Sequence, residues 1–230
     1  MATDKTSLGD RMKCYENVTE IYLTKRIPVI VRLDGRAFHT YTKRHYGRGY
    51  SEDFQNVMAR TMAHIVENIQ GCELGYCQSD EISLLLTDYR TIDTEGWFNY
   101  NLRKIISISA AMTTEAFDMF APMPAQFDSR AFSIPQDEVC NYFIWRQKDA
   151  TRNAIQMLGR EYFSQKQLHQ LTCDMIQEKV FAEKGVNFND LSISRKRGIC
   201  VLSDGSIDVG IPIFTQKREY IERFVYVRQD

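Results

Sequence analysis

Runs of apolar residues broken by polar punctuation set out the elements. Ile27-Pro28-Val29-Ile30-Val31-Arg32-Leu33 is a β-branched run that predicts a buried strand, and it stops on Asp34 followed by Gly35-Arg36. Phe38–Tyr50, rich in aromatics, cations and glycine, is expected to be a loop. Ser51 has the form of an N-cap with Glu52 and Asp53 in the favourable first turn. Phe54, Val57, Met58, Met62, Ile65, Val66 and Ile69 then form one stripe down a helix that ends near Gln70-Gly71. Leu74–Gln78 and Ile82–Thr87 are the next strands, with Asp80 and Glu81 at the tip of the hairpin between them. Residues 96–120 predict a long helix whose small residues, Ser107 to Ala111, let it lie close to a neighbour. Ala131–Ile134 is a short strand entered from a turn at 127–130 and ended by Pro135.

Strand, helix, strand, strand, helix, strand is the order of an α+β, ferredoxin-like antiparallel sheet with helices packed on one face. The remainder predicts a more helical C-terminal half that carries a hairpin. Asp137–Gly159 is a helix with Arg146, Asp149, Asn153 and Gln156 along one side and Arg152 and Arg160 near it. Ser164–Gln167 has the form of a capping box, opening a helix through Leu168, Leu171, Met175 and Phe181 that ends at Gly185. Ser203-Asp204-Gly205 between Ile199–Leu202 and Ser206–Ile211 signals a hairpin, whereas Glu219–Arg228 is ambiguous between helix and strand. Before the first strand, Tyr15, Val18, Ile21 and Tyr22 follow a helical spacing. The division expected is a half over residues 1–135 that carries this sheet and a helical and hairpin half over 136–230, joined in one compact unit.

In a sheet of this order the end of the first strand lies beside the second hairpin, so Asp34 and Asp80 converge. Two such carboxylates repel each other unless a cation lies between them, and hard oxygen ligands favour Mg²⁺ over zinc. A magnesium ion completes its shell with substrate phosphates, which points to phosphoryl or nucleotidyl transfer, with Arg32 and Arg36 as fixed positive charge. Spacing alone leaves open that Asp34-Gly35 is a plain turn and that Asp149 merely pairs with Arg146 or Arg152 on an exposed face.

Composition narrows the setting. With 230 residues, 43% of them hydrophobic, the chain can bury one substantial core. No apolar run approaches the ~20 residues needed to span a bilayer, and Met1–Asp10 lacks the apolar core of a signal or transit peptide. Six cysteines without a Cys-x-x-Cys pair suit reduced, buried thiols of a cytoplasmic protein. A formal net charge of −1 argues against an extended non-specific RNA surface, but Lys43–Arg48 and Arg195-Lys196-Arg197 are compact basic clusters fit to grip phosphate.

Arg32-Leu33-Asp34-Gly35-Arg36-Ala37-Phe38-His39 and Gln78-Ser79-Asp80-Glu81 together closely resemble the tRNA-histidine guanylyltransferase family, including its like-protein branch that polymerises in the 3′-to-5′ direction. Phe127-Asp128-Ser129-Arg130, Trp145–Ala150, Asn187–Asp190 and Arg195–Gly198 resemble the family's later blocks. The resemblance implies a polymerase-type palm in which two Mg²⁺ ions are held by Asp34, Asp80 and the Gly35 carbonyl, with Glu81 as a supporting catalytic carboxylate. It implies ATP and GTP or another nucleoside triphosphate as substrates, cradled by Gly35, Arg36, Ala37, Phe38 and His39, with Ser79, Asp149 and Asn153 also contacting nucleotide. It implies tRNA as partner, with Arg48, Arg130, Arg152, Arg195, Lys196 and Arg197 as candidates for RNA contacts, a homotetramer, and no membrane association. Thr151-Arg152-Asn153-Ala154 stands where the eukaryotic members carry His-Ile-Asn-Asn, which favours templated 5′-end repair over a dedicated tRNA-histidine activity. Two other functions share these features: a palm-type nucleotidyl cyclase acting on free ATP or GTP, and a non-catalytic tRNA-binding protein.

Overall fold

The computed structural model describes residues 6–226. Helix α1 (Leu8–Asn17) leads to β1 (Val29–Gly35), α2 (Phe38–His45), α3 (Glu52–Asn68), β2 (Cys72–Gln78) and β3 (Glu81–Leu86). Next come a 3₁₀ turn (Trp97–Tyr100), α4 (Leu102–Phe120), β4 (Phe127–Ser133) and α5 (Gln136–Tyr162). Short helices α6 (Gln165–Leu168), α7 (Cys173–Lys184) and α8 (Ile193–Arg197), the strands β5 (Ile199–Leu202) and β6 (Ile207–Asp208), and α9 (Glu219–Glu222) complete the chain. The strands form one antiparallel sheet in the order β4-β1-β3-β2-β5-β6. Its first four strands are the ferredoxin-like unit, and the C-terminal hairpin extends the same sheet.

The strand runs are apolar on successive residues because both faces of the sheet are covered. Val29, Val31 and Leu33, with Ile82, Leu84 and Leu86, face a core shared with α3 and α4. Ile30, Leu85, Leu74, Tyr76 and Cys200 face a second core completed by Val139, Tyr142 and Phe143 of α5 and Ile221 of α9. The two crossover helices thus sit on one face, as the strand order predicts, and α5 from the C-terminal half covers the other. Along β1 the α5 face changes from Ile30 to Arg32 and Asp34, so the sheet becomes polar at one end, on one side only.

Several expectations are met in detail. Ser51 accepts a hydrogen bond from Phe54 N and caps α3, and Ser109, in the small-residue stretch of α4, hydrogen-bonds Ser129 of β4 at 2.7 Å between hydroxyls. Others are corrected. The expected loop after β1 begins with the helix α2, whose Phe38 and Tyr41 rings pack on Phe117. Phe98, Asn99 and Tyr100 all have positive φ, so the long helix starts only at Leu102, where Asn101 caps it by accepting from Lys104 N. Residues 127–130 are strand, not turn, because Asp34 and Gly35 pair with Asp128 and Phe127. The helix expected from Ser164 to Gly185 is two helices: Gln170 takes a left-handed conformation and Thr172 caps α7 anew. Ile176 and Val180 are therefore buried, whereas Met175 and Phe181 are exposed. β6 covers only Ile207–Asp208. The ambiguous end is the short α9 followed by turns, with Val227 and Arg228 outside the described residues. The apolar stripe before β1 stays exposed at Tyr15, Val18, Ile21 and Tyr22, and α1 buries nothing. Four of the six cysteines are buried and all are free; Cys14 is exposed and Cys173 half-buried.

Candidate active site

Antiparallel pairing of β1 with β3 sets Asp34 directly opposite Glu81, and Gln78 pairs with Glu81 across the hairpin, leaving Ser79 and Asp80 as its two-residue tip. Ser79 takes φ +56 there, and its hydroxyl donates to Asp80 Oδ1 at 2.9 Å. Asp34 and Asp80 are both half-buried. Burial raises the Asp80 pKa, and the charge of Asp34 raises it further. Asp34 pairs across the strands with Glu81, the residue after Asp80, so the end of β1 and the hairpin tip lie side by side.

Glu81 has a different environment. Arg32, on the same face of β1, donates to Glu81 Oε2, and Arg146 of α5 donates to the same oxygen at 2.8 Å, with its Nε 2.6 Å from Oε1. Burial raises the Glu81 pKa, and the two guanidiniums oppose that rise. Arg146 also donates to Asp149 Oδ2 at 3.2 Å, and Arg152 pairs with Asp149 Oδ1. A relay of alternating charge, Arg32–Glu81–Arg146–Asp149–Arg152, therefore ties β1, β3 and α5 together. Asp149 thus pairs with both arginines at helical spacing, on a face that is half-buried at Asp149 and buried at Arg146. Asn153, one turn further on, is half-buried.

Beyond Asp34 the backbone turns sharply. A Cβ on Gly35 would stand 2.2 Å from the Phe38 ring, so only glycine fits beneath that buried aromatic. Ala37 takes φ 59 and ψ 28, and no side chain caps α2. The Thr40 N–H donates to the Ala37 carbonyl at 3.1 Å, so of the first turn the N–H groups of Phe38 and His39 are the ones that could meet an anion just past Asp34. Arg36, held to Gln126 Oε1 at 2.7 Å, and His39 are exposed beside them, while Phe38 is core and offers only backbone.

Asp34 and Asp80 suit a hard divalent cation: the donors are all oxygen, and their mutual repulsion is relieved by positive charge. Among the described residues no three His, Cys, Asp or Glu side chains gather as a complete ligand set. Backbone carbonyl, water and substrate oxygens would have to finish the shell, as is usual for magnesium.

Next to the hairpin tip lies a pocket walled by Tyr46, Phe54, Ser79, Ala154, Met157 and Arg195. Arg195 is half-buried, with both oxygens of Glu161 within 2.8 Å of its guanidinium. Lys196 donates to the Asn189 carbonyl, and Arg197 is half-buried near the Ile211 carbonyl. Arg48, Arg130 and Arg152 are exposed, Arg130 lying 3.4 Å from Asp128. Glu161, Tyr50 and Gln126 escaped sequence reasoning. Glu161 is separated by 34 and 111 residues from the partners it holds, so no local periodicity marks it.

No described helix is long and apolar enough to cross a membrane. The family model for tRNAHis guanylyltransferase matches residues 9–135. Among solved structures, a bacterial tRNA(His) guanylyltransferase-like protein in complex with ATP is 46% identical, with a TM-score of 0.92 over 96% of this chain and 100% of that one. A bacterial protein of the same description in complex with GTP is 41% identical, with a TM-score of 0.81 and the same coverage. A probable tRNA(His) guanylyltransferase of Dictyostelium discoideum is 24% identical over 197 residues, covering 76% of this chain and 75% of its own. With the paired carboxylates, the polar sheet end and these likenesses together, the chain belongs to the tRNA-histidine guanylyltransferase family.

Proposed function

We infer that this protein is a nucleotidyltransferase that adds nucleotides to the 5′ end of tRNA in the 3′-to-5′ direction, under the guidance of the opposing strand. The observation that carries this reading is the register that sets Asp34, at the end of β1, opposite Glu81 and next to the Ser79-Asp80 hairpin tip, beside the start of α2. It is supported by near full-length likeness to proteins solved with ATP and with GTP. A 5′-monophosphate is first activated by ATP, forming a 5′-adenylylated end and releasing pyrophosphate. The 3′-hydroxyl of the incoming nucleotide then attacks the activated phosphorus, a new phosphodiester forms, and AMP leaves.

Asp34, Asp80 and the Gly35 carbonyl would hold Mg²⁺, which when bound supplies a Lewis acid for the phosphoryl oxygens. The α2 N–H groups with Arg36 and His39 bind the triphosphate, and Ser79 orients Asp80. Glu81 is held between two arginines, so its role is to fix β3 against β1 and keep Asp34 aligned, while Asp149 and Asn153 present the α5 side to the nucleotide. The aromatic and apolar pocket next to Ser79 suits a nucleobase. The half-buried Arg197 and inward-facing Lys196 leave Arg48, Arg130 and Arg152 best placed to meet RNA phosphates. Thr151–Ala154 in place of the eukaryotic motif favours repair of truncated 5′ ends. A cytoplasmic homotetramer is consistent with this activity.

The test offers a 5′-truncated tRNA and a full-length tRNA-histidine side by side with Mg²⁺ and all four triphosphates. Growth of the truncated end, with bases complementary to the opposing strand, is expected. A cyclic product formed without RNA would replace this reading with a cyclase, and absence of triphosphate turnover would leave a binding protein. Arg130→Ala should weaken tRNA binding and lower the slope of log K against log salt by about 1, with nucleotide affinity unchanged. An unchanged slope removes Arg130 from the RNA surface.

A further inference from the structure

Glu161, in the last turn of α5, touches two other parts of the chain, the link at Gly49-Tyr50 and Arg195 of α8. One carboxylate oxygen accepts the Tyr50 N–H at 2.9 Å, and the two oxygens take Arg195 of α8 at 2.7 and 2.8 Å. The Arg195 guanidinium in turn lies 4.8 Å from the centre of the Tyr50 ring. Gly49 has φ +88, and a Cβ there would stand 2.5 Å from Glu161 Cγ, so this backbone is drawn up against the carboxylate. Tyr50 and Arg195 both face the pocket beside Ser79, whereas Glu161 stands behind its wall.

A half-buried carboxylate that satisfies one backbone N–H and one guanidinium holds the geometry of both. The link between α2 and α3, which carries Gly49 and Tyr50, is hydrogen-bonded to α5 through the Tyr50 N–H and Glu161. We propose that Glu161 is a positioning residue for the nucleotide: by clamping Tyr50 and Arg195 together it sets the width of the pocket that receives the nucleoside part of the substrate. This rests on the reading of that pocket as a nucleobase site. It also gives Arg195 a place in the pocket wall rather than on the RNA surface.

The test measures equilibrium binding of ATP and GTP to the full-length protein without RNA, and tRNA binding separately, for wild type, Glu161→Ala and Glu161→Gln. Glu161→Ala should weaken nucleotide binding about tenfold and raise the nucleotide KM correspondingly, with kcat little changed, because the pocket wall and not the reacting centre is displaced. Glu161→Gln keeps an oxygen for the Tyr50 N–H and should fall between, with a loss of about threefold. tRNA affinity should stay within about twofold of wild type. If the alanine variant does not fold, the glutamine variant decides on the same scale. Nucleotide affinities equal to wild type in the folded variants would overturn the proposal and leave the nucleobase reading standing, as would a loss confined to tRNA. Failure of the wild type to bind either triphosphate would overturn both.

Discussion

Replacing Asp80 by asparagine is expected to abolish nucleotide addition, by about a thousandfold or more, and to leave the protein as stable as the wild type or more so. Loss of a metal-holding oxygen explains the first effect. The second follows from the electrostatics: the Asp80 pKa is raised by burial and by Asp34, so the ionised form is disfavoured in the folded state. For a carboxylate whose folded pKa lies above its unfolded one, the stabilising contribution is present at low pH and is lost as pH rises through the folded pKa. At neutral pH Asp80 is therefore a liability to the apo fold, and asparagine removes it while keeping an acceptor for Ser79. Asp34→Asn should behave alike. Mg²⁺ should raise the melting temperature of the wild type and not that of either variant. Thermal melts with and without MgCl₂ and single-turnover addition check both parts. An Asp80→Asn enzyme that keeps a tenth of its rate would remove Asp80 from the chemistry.

What could be read in the sequence, and what could not, follows from the range of the interactions. The strands and α3 were legible because each is long, apolar and periodic, and the nearness of the end of β1 to the β2–β3 hairpin followed from the strand order. Residues 38–45 were not legible as a helix, since α2 depends on Phe38 and Tyr41 finding Phe117, some eighty residues away. The left-handed turn at Phe98–Tyr100 has no glycine to announce it; it is held by the fully buried Tyr100 and by pairing of Tyr22 with Asn101. In the site, the acidic motifs were visible as local words, but their differing environments were not. Asp80 and Glu81 are neighbours in sequence, yet one sits at the hairpin tip bonded to the Ser79 hydroxyl and the other is held between two arginines brought from β1 and α5.

That difference leads to the second large effect. Arg146→Met should destabilise the protein by about 3 kcal/mol, because Arg146 is almost wholly buried and its removal leaves Glu81 facing Arg32 alone and Asp149 tied only to the exposed Arg152. Turnover should fall as well, since Glu81 lies directly opposite Asp34 and its displacement moves the strand end that carries the metal-holding acid. The cost belongs to two half-buried carboxylates that each lose one of two guanidinium partners and not to lost packing, for methionine fills much of the same volume. It follows that Glu81→Gln in the Arg146→Met background should cost less than the two single changes summed, with a coupling of about 1–3 kcal/mol. Urea unfolding of the wild type, both single variants and the double variant completes the cycle. Additive losses would show that Glu81 and Arg146 contribute independently, and that the charge relay does not hold β3 against α5.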